Sequence, residues 1–145
     1  MKIYLSFPMT FAESSDHLLR RAVQEATVRD FPEVSFYDPT LQDQSHLTMD
    51  QIQTEDFRAV AESDGVLMTW SPASKVSCGQ HAEAEWARRV FGRPVVVFQH
   101  PGLHVPPWVV ATVGGDKNCF LNLHVAVRAL IEKIESSLKE DVVHA

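Results

Sequence analysis

Short apolar runs alternate with longer amphipathic segments along this chain, and the alternation limits the fold more than any other feature of the sequence. The runs have the length of buried strands and cover residues 2–6, 34–37, 65–70, 95–98 and 119–121. The amphipathic segments predict helices over residues 12–29, 48–62, 79–91 and 123–138. In the first of these helices, the predicted inward residues are Leu18, Leu19, Val23 and Ala26. Strands that alternate with helices form parallel sheets covered on both faces. The sequence therefore predicts a doubly wound, flavodoxin- or Rossmann-like α/β domain with a parallel five-stranded sheet.

Size and composition favour one domain that acts on a small molecule. The 145 residues, 45% of them hydrophobic, suit one core, so we expect a domain over residues 1–140 and a frayed tail over residues 141–145. A net charge of −6 argues against a nucleic-acid partner. No segment has the length of a membrane span or the pattern of a signal peptide, so we expect no membrane association and a cytoplasmic location. The seven scattered histidines predict no metal, and we expect no other cofactor.

Two carboxylates fall on the apolar faces of predicted helices. Glu83 lies on the same helical face as Trp86 and Val90, whereas Glu85 points to the polar face. Asp56 falls within the apolar stripe of the helix over residues 48–62. Two carboxylates that share a partly enclosed pocket divide into a base and a nucleophile, because their repulsion separates their pKa values. Structural roles, at the edge of the core for Glu83 and as a loop cap for Asp56, are the alternatives.

The predicted topology places ligands beyond the carboxyl ends of the strands. Residues 6–10 follow the first strand, and a hydroxyl-rich loop over residues 71–79 follows the third and enters a helix. Backbone N–H groups and the helix dipole at such a helix N-terminus favour an anion, for example a phosphate. Ser77 is a candidate for this contact, although it also suits the helix N-cap.

Four segments resemble the nucleoside 2-deoxyribosyltransferase superfamily, over roughly residues 3–98. They are Met-Lys-Ile-Tyr-Leu-Ser over residues 1–6, Ile52-x3-Asp56-x7-Asp64, Ser77-Cys-Gly-Gln-His-Ala-Glu83, and Gly92-Arg-Pro-Val95. Gly92 follows Glu83 one residue later than is usual in the family. The resemblance implies that Glu83 is the nucleophile that attacks the anomeric carbon. It also implies that Asp56 assists the departing base and that Tyr4 positions the nucleophile.

The superfamily contains transferases, which exchange bases on deoxynucleosides, and hydrolases, which cleave nucleoside 5'-monophosphates. Transferases typically carry an acidic residue six positions before the glutamate, whereas the hydrolases resemble this chain, which has Ser77 there. A hydroxyl tolerates a phosphate dianion that a carboxylate would repel, so the hydrolase is the favoured expectation. The resemblance also implies a homodimer with shared active sites. The expected substrate-binding residues are Ser6, Phe7, Thr10, Trp70, Ser77 and Gly79, with Phe7, Trp70 or Trp86 available to stack on the base.

Two other function classes stay open at this point. The segment from Trp70 through Ser74 to Glu83 and Trp86 has some likeness to Toll/interleukin receptor-like domains, which bind partners or cleave NAD at a helical glutamate. A non-catalytic nucleotide-binding or interaction module on the same fold is the other alternative, because fold alone does not determine function.

Overall fold

The computed structural model describes residues 1–9 and 12–145. Its strands are β1 (Lys2–Ser6), β2 (Ser35–Tyr37), β3 (Gly65–Trp70), β4 (Val95–Gln99) and β5 (Cys119–Phe120). Its α-helices are α1 (Ser14–Asp30), α2 (Met49–Ala61), α3 (Cys78–Glu85), α4 (Pro107–Val113) and α5 (Leu123–His144). All five predicted strands are present with each end within one residue of its predicted position, and the α/β fold class is confirmed.

The sheet is parallel throughout and has the strand order β2-β1-β3-β4-β5. The order reverses between β1 and β3, because the chain adds β2 on one side of β1 and the later strands on the other. Such a reversal opens a crevice at the carboxyl ends of the two strands. In this chain those ends are Ser6 and Trp70.

Alternation along each strand supplies two separate cores, one on each face of the sheet. On one face, Tyr4, Val66, Met68 and Val97 pack with residues of α2, α3 and α4. On the other face, strand residues pack against α1 and α5. Gly65 lets α5 pack closely on that second face, because an added Cβ would lie 2.9 Å from Cδ1 of both Leu130 and Ile134. The helices therefore cover both faces, as predicted. Tyr4 and Ser6 of β1 point to the face that α3 covers.

The inward face of α1 differs from the prediction. Leu18 is 64% exposed, and the buried positions of the helix are instead Asp16, Arg20, Val23 and Thr27. Arg20 pairs with Asp38 after β2, and Asp16 accepts a hydrogen bond of 2.5 Å from Ser71 after β3. The pattern of apolar residues does not predict this face, because α1 packs partly against polar groups of the loops at the sheet's carboxyl edge.

Two helix ends also differ from the prediction. The helix predicted over residues 79–91 is regular only through Glu85, and Trp86–Val90 form a π turn in which the N–H of Phe91 donates to the carbonyl of Trp86. The last helix, α5, continues to His144, so most of the expected frayed tail is helical and exposed. No glycine or proline interrupts residues 123–144, which explains why the helix does not stop at residue 138. Within the described residues, no helix has the length and apolar character needed to cross a membrane.

Candidate active site

Glu83 lies at the centre of the site and receives one hydrogen bond on each carboxylate oxygen. The hydroxyl of Tyr4 donates to Oε1 at 2.9 Å, and that of Ser6 donates to Oε2 at 2.5 Å. Tyr4 and Ser6 are alternate residues of β1, so both point to the same face of the sheet. Both are fully buried, and Glu83 is 7% exposed. The two strand residues thus hold the carboxylate in one orientation at the crevice between β1 and β3.

The start of α3 is fixed to the ends of the two strands by Gln80. Its Nε2 donates to the carbonyl oxygens of Ser6, at 3.2 Å, and Thr69, at 2.8 Å. Gln80 is almost completely buried and lies three residues before Glu83, on the same face of the helix. Gln80 was not predicted from the sequence as a site residue, although its position one turn before Glu83 was a usable signal. Gln80 therefore sets the position of the helix that carries Glu83.

Ser77 is the N-cap of α3, the alternative that the sequence left open for it. Its Oγ accepts the backbone N–H of Gln80 at 3.3 Å, and its own hydroxyl proton remains available to donate. Gly79 is exposed, and a Cβ added there would meet no atom within 4 Å. Ser77 and Gly79 thus lie at an accessible helix N-terminus, where a ligand has room to approach.

Burial changes the ionisation of the Glu83 carboxyl. Removal from water raises the pKa of Glu83 to about 8; the negative charge of Asp56 adds to this increase, and the hydrogen bonds from Ser6 and Tyr4 oppose it. The same burial, together with the charge of Glu83, raises the pKa of Tyr4 far above its ordinary value. Tyr4 therefore stays a hydrogen-bond donor across the physiological pH range.

Asp56 is half-buried on α2 and influences Glu83 through its charge, since it makes no hydrogen bond to it. Gln44 donates to Oδ1 of Asp56 at 3.4 Å. Burial raises the pKa of Asp56, and the charge of Glu55 raises it further, against the effect of the Gln44 contact. Tyr37 stacks on Tyr4 with ring centroids 5.5 Å apart. Burial raises the pKa of Tyr37, and the charge of Asp56 raises it further. The charge of Asp56 thus acts on both Glu83 and Tyr37.

The aromatic residues expected to stack on a base are mostly packed inside the chain. Phe7 is 4% exposed and lies against His17 and under the guanidinium of Arg20. Trp70 is 6% exposed and belongs to the core beside α4. Trp86 is half-buried and makes an edge contact with Phe57. Thr10, the remaining expected substrate contact, lies outside the described residues.

A small cavity of about 120 Å³ adjoins the start of α3. Trp70, Lys75, Ser77 and other residues line it, together with His81 and Trp108, whose rings stack with centroids 4.7 Å apart. Neither His81 nor Trp108 was identified from the sequence. The exposed ring of Trp108 comes from α4, which has no counterpart among the predicted helices. Within residues 1–9 and 12–145, no cluster of three or more histidine, cysteine or acidic side chains has the arrangement of a metal site.

Comparisons with known proteins place the fold. No protein-family model and no curated protein matches the sequence. The structure of a 2-deoxyribosyltransferase from Bacillus psychrosaccharolyticus matches with a TM-score of 0.65 at 18% identity, over 87% of this chain and 90% of that chain. A 2-deoxyribosyltransferase from Leishmania mexicana matches with a TM-score of 0.64 at 16% identity, over 90% and 97% of the two chains.

A third similar structure is a CMP N-glycosidase from Clostridium botulinum. Its TM-score is 0.56 at 15% identity, over 90% of this chain and 97% of that chain. The chain therefore has the fold of these transferases and of this N-glycosidase, and the likeness expected from the sequence is confirmed at the level of the fold. At 15–18% identity, these likenesses show the fold alone.

Proposed function

We propose that this chain is an enzyme of the nucleoside 2-deoxyribosyltransferase superfamily that hydrolyses the base–sugar bond of a (deoxy)nucleoside 5'-monophosphate, with Glu83 as the nucleophile. The observation that carries the proposal is the buried carboxylate of Glu83, oriented by Tyr4 and Ser6 where the strand order reverses. A buried carboxylate is unfavourable for folding unless it is paired, so its retention in a crevice favours a catalytic role. Three structures with the same fold, two transferases and one N-glycosidase, support this class of chemistry.

The proposed reaction has two steps, as in retaining glycosidases. In the first, an oxygen of Glu83 forms a bond to C1' of the sugar while the bond from C1' to the base breaks, and Asp56 gives its proton to the departing base. In the second, water forms a bond to C1', the ester to Glu83 breaks, and the proton of the water passes to Asp56. The products are the free base and the sugar 5-phosphate.

The proton held by the two carboxyls fits this sequence of steps. Above the pKa of Asp56 and below about pH 8, the pair carries one proton, which Glu83 holds most of the time because its pKa is the higher; the reactive form is the minority form in which Asp56 carries that proton. Tyr4 and Ser6 favour this form, because their hydrogen bonds stabilise the ionised state of Glu83. We therefore expect a bell-shaped dependence of base release on pH, with its fall near pH 8.

Ser77 supports hydrolysis of monophosphates over base exchange on free nucleosides. Its hydroxyl lies at the N-terminus of α3, with Lys75 beside it in the wall of the adjoining cavity. A 5'-phosphate at this place would meet a hydroxyl, a lysine and the positive end of the helix dipole. We propose in addition that a second copy of the chain closes the site, since the binding face is open around Gly79 and the exposed Trp108.

The test is a panel assay that follows released base by chromatography. The panel contains nucleoside and deoxynucleoside 5'-monophosphates, the matching nucleosides with and without an acceptor base, and NAD. We expect base release from monophosphates and a loss of at least about a thousandfold in Glu83→Gln. The control is Glu85→Gln, which removes a carboxylate from the same helix that pairs with Arg89 at the surface; it should retain activity within about twofold.

Other outcomes identify other functions. Base exchange on free nucleosides, dependent on Glu83, would make the chain a transferase. Loss of NAD with release of nicotinamide would favour the Toll/interleukin receptor-like class. No turnover of any compound would support a non-catalytic module and contradict the proposal.

A further inference from the structure

A second cavity opens at the other end of the sheet from Glu83. It has a volume of about 710 Å³ and lies between residues 92–95, the turn after α4 and one side of α5. Val95 is the first residue of β4, whereas Ser6, which holds Glu83, is the last residue of β1. None of the proposed catalytic residues lines this cavity. It is therefore a feature separate from the candidate active site.

The walls of this cavity are strongly basic in an otherwise acidic chain. They carry four cationic side chains and one carboxylate, namely Arg88, Arg93, Lys117, Lys133 and Glu132. None of these five side chains takes part in the ion pairs formed within residues 1–9 and 12–145. With a net charge of −6 for the whole chain, this concentration of uncompensated positive charge marks a place that attracts anions.

Two buried polar atoms in the cavity wall, Oδ1 of Asn118 and Nε of Arg93, have no hydrogen-bond partner among residues 1–9 and 12–145. Asn118 is 7% exposed, and its Nδ2 donates to the carbonyl of Val113 at 2.7 Å. That bond fixes the orientation of the amide and leaves Oδ1 as an acceptor without a donor. Neighbouring protein atoms cover both of these atoms, so Asn118 and Arg93 are fixed parts of the cavity wall.

The wall is also held in a fixed shape around Gly114. Arg88 donates from Nη1 to the carbonyl of Thr112 at 2.7 Å, which places its guanidinium over the end of α4. A Cβ on Gly114 would lie 3.1 Å from Cζ of Arg88 and 3.0 Å from Nδ2 of Asn118. Gly114 also has a φ of +97°, which side chains rarely adopt. A glycine at this position therefore lets Arg88 and Asn118 converge on one side of the cavity.

We propose that this cavity binds a small phosphate-bearing anion. The four cationic side chains match the charge of a phosphate dianion, and their ammonium and guanidinium groups are strong donors to phosphate oxygens. The volume suits a molecule of mononucleotide size. Inorganic phosphate and a phosphate ester share the chemistry that the site recognises, and they differ in whether a nucleoside adds further contacts to the wall.

The first experiment titrates inorganic phosphate into the full-length chain and follows backbone amide resonances by NMR. We expect saturable shifts at Gly114, Gly115 and Lys117. The variant Lys117→Gln/Lys133→Gln should bind phosphate at least about tenfold more weakly, since it loses two charge-assisted contacts. The control, Arg128→Gln/Lys139→Gln, removes two charges from α5 outside the cavity and should bind as the wild type does.

The residues whose amide resonances shift show whether phosphate binds in this cavity or at the candidate active site. Shifts confined to Ser77 and Gly79 would place phosphate at the candidate active site alone and overturn the second site. Equal binding by the cavity variant and the wild type, or no saturable binding, would overturn it as well. The cavity site is independent of catalysis, so loss of base release in Glu83→Gln does not bear on it.

A second titration, in Glu83→Gln so that the ligand is not consumed, identifies the source of the phosphate. It compares inorganic phosphate, deoxyadenosine 5'-monophosphate and uncharged deoxyadenosine at the same resonances. Tighter binding of the nucleotide than of phosphate, by about tenfold or more, would show that the site also contacts the nucleoside part of the ester. Equal binding of the two would make free phosphate the ligand. Binding of deoxyadenosine as tight as that of the nucleotide would contradict a site built for phosphate.

Discussion

At the scale of single residues, the chemistry of this chain depends on how Glu83 is held and how easily it ionises. Burial favours its neutral form, while the hydroxyls of Tyr4 and Ser6 favour its carboxylate. The positions of the apolar residues around Glu83 were sufficient to predict that its side chain points into the fold. The role of Ser6 was not visible in this way, since a serine at the end of a strand suits a ligand contact as well as a contact to a side chain. Ser6, which the sequence predicts as a substrate contact, donates to Glu83 in the structure.

Removing either donor should change the pH dependence of catalysis. Hydrogen bonds to a charged group contribute roughly 1.5–3 kcal/mol, so Tyr4→Phe and Ser6→Ala should each raise the pKa of Glu83 by about one unit. The fall of the bell-shaped profile then moves to higher pH, and kcat/KM at pH 7 drops about tenfold because the ionised form of Glu83 is rarer. The measurement is a pH profile of base release from the preferred substrate.

Tyr37→Phe is the matched control for these variants. Tyr37 stacks on Tyr4 and makes no hydrogen bond to Glu83, so its profile should overlay that of the wild type. Lower activity in Tyr4→Phe and Ser6→Ala with an unmoved profile would indicate that the two hydroxyls act in some way other than on Glu83.

The raised pKa of Glu83 also predicts how stability depends on pH. Its pKa is about 8 in the folded chain against an ordinary value of 4.5. Between these values the folded state holds a proton that the unfolded state has lost, so the free energy of unfolding falls as the pH rises through this window. The glutamine side chain in Glu83→Gln cannot ionise, so the free energy of unfolding of this variant does not fall for this reason. Relative to the wild type, it should gain at least about 1.4 kcal/mol between pH 5 and pH 9, the equivalent of one pKa unit.

Chemical denaturation of both proteins at pH 5, 7 and 9 measures this difference. Glu85→Gln, which removes a partly exposed carboxylate that pairs with Arg89 on the same helix, is the control. A constant difference between Glu83→Gln and the wild type at all three pH values would mean that the carboxyl ionises in the fold as readily as in the unfolded chain.

At the scale of elements, the π turn over Trp86–Val90 is the feature that sequence periodicity did not predict. A π turn accommodates one extra residue within an α-helix, and Gly92 follows Glu83 one residue later than is usual in the superfamily that the sequence resembles. The extra residue therefore appears after Glu83, at the far end of the helix. The face that carries Gln80 and Glu83 keeps regular α-helical geometry as a result.

Deleting Val90 should turn the π turn into ordinary helix without disturbing the site. Val90 is 58% exposed, and the contacts of Glu83 to Tyr4 and Ser6 lie before the deletion. We expect a folded protein with base release within about threefold of the wild type. Deletion of Ala84, which is buried in the regular part of α3, is the control and should abolish activity because it rotates the following turns by about 100°. Similar activity losses in both deletions would show that the π turn itself positions Glu83.

At the scale of the whole molecule, the sheet could be predicted closely and the surroundings of the site could not. The strands are continuous apolar runs, so a single chain reveals them. Phe7 and Trp70, expected near the base, are instead packed within the chain, and α1 uses the ion pair of Arg20 with Asp38 where an apolar face was expected. Such details depend on which loops contact one another at the carboxyl edge of the sheet. Those tertiary contacts cannot be predicted from local sequence.

The proposed homodimer belongs to this scale. Trp108 is 67% exposed beside the start of α3, and exposed tryptophans of this kind are frequent anchors of interfaces. Light scattering after size exclusion should give twice the 16.3 kDa mass of one chain. Trp108→Glu should weaken self-association at least about tenfold and lower activity with it. Val142→Glu, at the exposed end of α5, is the control; a monomeric wild type with full activity would refute the shared site.

The central claim is that Glu83 forms the covalent bond to the sugar, and peptide mapping by mass spectrometry after a trapping reaction tests it most directly. The trap is a preferred nucleoside 5'-monophosphate with fluorine on the arabino face of C2', which destabilises the oxocarbenium-like transition states and slows the release of the sugar by water. We predict that the peptide containing Glu83 gains the mass of the fluorinated sugar phosphate and that Glu83→Gln gains none. Base release with no adduct, or an adduct on Asp56 or another side chain, would contradict the account.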